Sequence, residues 1–172
     1  MRRGRLCAAG AVVTRFASLG DAGERLVPAV RDRVDAWIDP CVLAIIPNGV
    51  PVAEPLARGL GLPVLAAPLD RSGDPAAGPL PRLDGRTAIV VDDGVETGTA
   101  AHLVGEAARA AGAAYLVLAV PVCPREAQPV MERVYDEVIA LDRPMVRRDL
   151  RWHYDDFDVI DEAEAHRRLA AR

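Results

Sequence analysis

The sequence predicts an α/β fold: a three-layer domain with a central, mostly parallel sheet flanked by helices. Three observations predict it. Half of the residues are apolar (51%) but only 4% are aromatic, so the core has to be filled by Val, Leu, Ile and Ala, the usual filling between helices and a parallel sheet. Short unbroken apolar runs, CVLAII from Cys41, TAIVV from Thr87 and YLVLAV from Tyr115, read as strands covered on both faces. Segments with apolar residues three or four apart stand between them, which is helical spacing. Strands alternating with helices imply right-handed βαβ crossovers and binding loops at the carboxyl ends of the strands.

Taken in order, Leu26, Val30, Val34 and Trp37 describe an amphipathic helix over Asp21 to Trp37. The strand Cys41 to Ile46 closes on Pro47-Asn48-Gly49, a tight loop. A helix from about Val50 to Gly59 and a strand from Val64 to Ala67 follow. Pro68 to Asp84 is crowded with Pro, Gly and Asp and shows neither periodicity, so it reads as an exposed irregular loop. Then come the strand Thr87 to Val91, an Ala-rich helix Thr97 to Ala111 stopped by Gly112, and the strand Tyr115 to Val120. Pro124 to Val134 suits a helix, Glu137 to Ala140 a strand and Asp161 to Ala171 a charged terminal helix. At 172 residues the expectation is one domain, 1–172, able to bury a core without disulfides or a structural metal.

The net charge of −4 argues against a sequence-blind grip on nucleic acid, which needs a cationic surface. All 21 cationic side chains are Arg, so no step can use a lysine. Cys7, Cys41 and Cys123 form no CxxC pattern and read as small core residues. The opening MRRGRLCAAGAVVTRFA is basic and then briefly apolar, but Thr14 and Arg15 cut the run too short for a signal sequence or a membrane span, so a cytoplasmic protein is expected.

The chemistry-bearing stretch is the strand Ala88 to Val91 followed by Asp92-Asp93-Gly94-Val95-Glu96-Thr97-Gly98-Thr99. Adjacent ionised carboxylates are acceptor-only groups that match the paired 2′ and 3′ hydroxyls of a ribose. Unpaired N–H groups at a helix start, with Thr hydroxyls beside them and Gly allowing close approach, make a seat for a phosphate. Alone, Asp93-Gly94 would be a turn and Thr97 a helix cap. The strand before and the helix after give the string its binding meaning.

This string resembles the phosphoribosyl pyrophosphate signature of the type I phosphoribosyltransferases. Arg15-Phe16 with Ala22-Gly23, the run Val42 to Ala53, and the tail Trp152-His153-Tyr154-Asp155-Asp156-Phe157 are similar to a bacterial branch of that family. The resemblance implies that Asp92 and Asp93 hold the ribose hydroxyls, with Gly94 and Val95 in the same loop. It further implies that Glu96, Thr97, Gly98 and Thr99 surround the 5′-phosphate, and that Pro47, Asn48, Gly49 and Val50 form the pyrophosphate loop. Mg²⁺ would arrive with the phosphoribosyl pyrophosphate near Asp92 and Asp93. Glu96 stands where purine-using members carry an acid that exchanges a proton with the base, and a homodimer is implied. Trp152, His153, Tyr154 and Phe157 read as an aromatic anchor for the C-terminal segment more than as a base-stacking surface.

The pattern also departs from that branch. Asn48 and Val50 replace the usual Arg and second Gly, which removes a cation. Ala100 stands where Thr commonly ends the phosphate loop. Only Leu69 to Asp84 occupies the place of a longer lid, with Arg71 and Arg82 as its cations, Arg71 being the candidate for a catalytic contact to pyrophosphate. The leading expectation is therefore a Mg²⁺-dependent phosphoribosyltransferase acting on a small-molecule acceptor, a nitrogenous base. The alternatives are a non-catalytic sensor of phosphoribosyl pyrophosphate or nucleotide, and a phosphoribosyl hydrolase.

Overall fold

A computed structural model describes residues 15–171; Cys7 and the basic opening lie outside the described residues. Helix α1 (Leu19–Val34) starts behind Ser18, whose hydroxyl accepts the Asp21 N–H at 3.1 Å while the Asp21 carboxylate accepts the Ala17 N–H at 3.0 Å. This cap satisfies one of the exposed N–H groups of the helix start and ties down the residue just before Ser18. It moves the start ahead of the expected Asp21, and the helix ends at Val34, so Trp37 packs on the core from beyond it.

The main sheet comprises β1 (Cys41–Ile45), β2 (Val64–Ala67), β5 (Thr87–Val91), β6 (Tyr115–Val122) and β7 (Glu137–Asp142), in the order β2-β1-β5-β6-β7. Every neighbouring pair is parallel, with Ala44 beside Val91 and Val91 beside Ala119. Alternate side chains feed opposite layers. Val42, Ala44, Ile89 and Val91 pack under α1 and α2 (Gly49–Leu60), with Ala165 of α5 (Glu162–Ala170) in the same layer. Leu43, Ile45, Ala88 and Val90 pack under α3 (Thr99–Ala110), together with Met131 of α4 (Gln128–Met131). Cys41 and Cys123 are fully buried in that second layer. The three-layer architecture expected from the apolar runs is the one observed.

Two segments differ from expectation. Pro68 to Asp84 contains a small antiparallel hairpin, β3 (Leu69–Asp70) with β4 (Ala76–Ala77), turned by the Asp70 carboxylate, which accepts from both the N–H and the hydroxyl of Ser72 at 2.8 and 2.7 Å. Strands two residues long leave no periodic trace in a sequence. The helix expected over Pro124 to Val134 shrinks to α4, because the chain must enter β7 at Glu137 and the buried Tyr135 is pinned by its hydroxyl to the Ala101 carbonyl at 2.5 Å.

Candidate functional site

From β1 the chain moves outward to β2, whereas from β5 it moves the other way to β6 and β7. The order therefore reverses between β1 and β5, and a crevice is expected beyond their carboxyl ends. A cleft of about 440 Å³ lies there. Asn48 at the end of β1 faces the residues that follow β5, namely Asp92, Asp93, Gly94, Val95, Glu96, Thr97, Gly98 and Thr99, and Arg71 joins them from the β3–β4 hairpin.

The two aspartates form the floor, Asp92 7% and Asp93 8% exposed. Asp92 Oδ1 accepts the Asp93 N–H at 2.9 Å. Burial pushes the Asp92 carboxyl well above the usual carboxylate range, and the neighbouring Asp93 charge pushes it further; the Asp93 N–H and the Arg71 guanidinium pull the other way. Burial raises Asp93 too, against hydrogen bonds from Asp92 and the Asn48 side chain and the charge of Arg71. Two buried acids this close are starved of donors and positive charge. Such a pair is suited to a ligand that brings donors and a cation.

Above the floor, α3 begins after Gly98, which is left-handed (φ 83°), and no side chain caps the helix N-terminus. Thr97 Oγ1 and Thr99 Oγ1 lie 3.1 Å apart, and the Thr99 N–H reaches Thr97 Oγ1 at 3.3 Å. Both threonines line the cleft. Thr99 thus puts a hydroxyl beside Ala100, where the sequence lacks the usual Thr. An uncapped helix start flanked by hydroxyls is suited to an anion.

Some residues of the expected pyrophosphate loop stay out of the cleft. Val50 is fully buried, and its N–H is taken by the Pro47 carbonyl at 3.2 Å. Gly49 packs on the end of β5, where a Cβ would stand 2.6 Å from the Val91 carbonyl oxygen. Pro47 lines a neighbouring depression that shares Leu69 and Arg71 with the cleft. Glu96 and Arg71 are both exposed at the rim.

Sequence reasoning missed the remaining walls. Leu69 and Pro75 come from the hairpin, Ala101 from α3 and Leu150 from a 3₁₀ turn, Leu150–His153, after β7. No local pattern marks them. In the C-terminal aromatic group, the Tyr154 ring packs at a tilt against both Phe16 and Phe157, with ring centroids 5.4 and 5.1 Å away. Its hydroxyl donates to the Asp93 carbonyl at 2.5 Å. Trp152, expected in this cluster, is instead 67% exposed, since the 3₁₀ turn sends His153 and Tyr154 inward and Trp152 outward. The buried His153 holds Nδ1 3.3 Å from Asp142 Oδ2, within ion-pair range but off the line of a hydrogen bond.

The crystal structure of TT1426 from Thermus thermophilus superposes with a TM-score of 0.80 at 22% identity, over 92% of this chain and 99% of that one. A purine phosphoribosyltransferase from Pyrococcus horikoshii Ot3 superposes at 0.55 with 20% identity, over 82% and 94% of the two chains. An adenine phosphoribosyltransferase from Thermoanaerobacter pseudethanolicus gives 0.54 at 13% identity, over 69% and 78%. This chain has the type I phosphoribosyltransferase fold. Within that phosphoribosyltransferase fold, 62 residues, 36% of the chain, are 44% identical to a Mycobacterium tuberculosis protein named "Putative phosphoribosyl transferase Rv0571c". The match spans 14% of that relative's length. No protein-family model matches the chain. Among the described residues no helix is long and apolar enough to cross a membrane.

Proposed function

We propose that this chain is a phosphoribosyltransferase: it transfers the phosphoribosyl group of phosphoribosyl pyrophosphate to an acceptor, a nitrogenous base, with Mg²⁺. The observation that carries the reading is the convergence, in one cleft at the strand reversal, of a buried acid pair and an uncapped helix start. In this reading Asp92 and Asp93 accept from the ribose hydroxyls, while Thr97, Gly98 and Thr99 seat the 5′-phosphate on the first turn of α3. Arg71 and Asn48 face the diphosphate end. The acceptor nitrogen forms its bond to C1′ as the C1′–O bond to pyrophosphate breaks, and Glu96 takes the proton that the acceptor gives up.

The site fits a divalent cation in one respect: burial raises both carboxyls despite Arg71, so a further positive charge beside them would favour their ionised form, and carboxylates are hard oxygen donors. Among the described residues no three acidic, His or Cys side chains converge, so the ligand's own oxygens would complete the shell. Mg²⁺ supplies charge neutralisation of the leaving pyrophosphate. The reading takes residues 1–172 as one domain, acting as a homodimer in the cytoplasm.

Incubation with phosphoribosyl pyrophosphate, Mg²⁺ and a panel of bases tests it. Pyrophosphate release that depends on one of the bases is expected, and a protein that neither releases pyrophosphate nor binds any ribose phosphate removes the proposal. A second reading, a non-catalytic sensor of the same ligand, is favoured by Asn48. Where the related branch has a cation, this neutral side chain keeps its buried Oδ1 without a hydrogen-bond partner. Tight binding with no turnover over the whole panel would select the sensor.

A further inference from the structure

We propose that Tyr154 is a positioning residue for the ribose seat, acting on the peptide between Asp93 and Gly94 from outside the cleft. The inference rests on the phosphoribosyl reading above and adds to it a residue that no part of the phosphate-loop string contains. Tyr154 is 2% exposed, and its hydroxyl crosses 61 positions of sequence to reach the Asp93 carbonyl at 2.5 Å. The ring that carries it packs against both Phe16 and Phe157. The backbone beside it is fixed as well, since the Phe16 N–H donates to the His153 carbonyl at 2.9 Å and the Asp155 N–H to the Phe16 carbonyl at 2.8 Å. The hydroxyl is therefore the tip of a rigid strut running from the start of α1 to the acid pair.

What the strut holds is the hinge of the site. A trans peptide is planar and its N–H points opposite to its C=O, so fixing the Asp93 carbonyl also fixes the direction of the Gly94 N–H. The Asp93 N–H is already held by Asp92, and the Val95 N–H by the Val122 carbonyl at 2.8 Å. Tyr154 supplies the remaining restraint. Gly94 has φ 152°, open only to glycine, and a Cβ there would stand 2.6 Å from Leu150 Cδ2. The turn bearing Leu150 and Tyr154 is thus pressed on the same peptide by an apolar contact and a hydrogen bond. Burial keeps the phenol protonated, a donor at any ordinary pH.

Tyr154→Phe keeps the ring packing and removes only the donor, leaving a buried carbonyl unsatisfied. Circular dichroism is expected to show a folded protein, and calorimetry about tenfold weaker binding of ribose 5-phosphate per folded molecule, the usual weight of one such hydrogen bond. With a competent base, the KM of phosphoribosyl pyrophosphate should rise while the KM of the base changes little, a split that mere loss of folded protein, which lowers only the apparent kcat, cannot produce. Folded Tyr154→Phe binding ribose 5-phosphate within twofold of wild type overturns the proposal and leaves the phosphoribosyl reading standing; wild type that binds none overturns both. Should the variant not fold, hydrogen exchange on the wild-type protein decides. Ribose 5-phosphate is expected to protect residues 149–157 together with 92–99, and protection confined to 92–99 overturns the proposal.

Discussion

Asp92 Oδ1 accepts the backbone N–H of Asp93 at 2.9 Å, so one member of the buried acid pair spends part of its accepting capacity on the other. An amide oxygen would accept that bond equally well without a charge to desolvate. Asp92→Asn is therefore expected to raise stability at pH 7 by about 1 kcal/mol, the size of many site-for-stability exchanges, while abolishing binding of ribose 5-phosphate. Denaturant unfolding and calorimetry on the same preparation check it. A variant that loses stability would show that the pair is satisfied within the protein and needs no ligand.

The same burial sets a pH dependence with a definite sign. Both carboxyls titrate above their ordinary 3.8 in the folded state, so the folded chain holds protons that the unfolded chain has released. Their contribution is fully present below the unfolded value and is lost as pH rises through the raised folded values. The pair's share of the unfolding free energy should consequently decline from about pH 4 upward in wild type, and Asp92→Asn should remove part of that decline. Urea midpoints at half-unit pH steps with and without the substitution give the comparison; parallel curves would sink it.

Legibility of the fold followed from burial on two faces. CVLAII, TAIVV and YLVLAV announce themselves because both layers must be apolar, and β1, β5 and β6 lie where those runs stand. The acid pair and phosphate seat were readable for a related reason, since the string joining β5 to α3 carries its chemistry in consecutive residues. Leu150, Pro75 and Tyr154 were not readable as site residues. Each reaches the cleft or its floor from an element distant in sequence, through a hairpin with two-residue strands or a 3₁₀ turn. Leu150 has no polar group to betray it, and Tyr154 acts through a backbone carbonyl, which has no sequence signature.

Gly98 tests the phosphate seat through its backbone. Its φ of 83° suits glycine, and a Cβ there would meet the tip of Met131, Cε at 2.9 Å, which can swing aside. The cost of Gly98→Ala is thus mainly conformational, about 1 kcal/mol. Since that conformation aims the first N–H groups of α3, binding of inorganic phosphate should weaken more than stability does. Calorimetry against the unfolding midpoint separates the two, and unaltered phosphate affinity would place the anion elsewhere.

Arg71 divides the ligand into its two ends. It is the cation among the described residues lining the cleft, carried on the exposed hairpin and close enough to lower both aspartates. Ribose 5-phosphate is held in this reading by the acid pair and the start of α3, whereas phosphoribosyl pyrophosphate adds a diphosphate that Arg71 can pair by charge. Arg71→Ala should therefore weaken phosphoribosyl pyrophosphate about tenfold, in line with one charge-assisted hydrogen bond, and leave ribose 5-phosphate unchanged. Arg71→Lys should restore part of the loss, because an ammonium keeps the charge but not the two-pronged grip. Equal losses for both ligands in competition calorimetry would mean that Arg71 serves the acid pair and not the diphosphate.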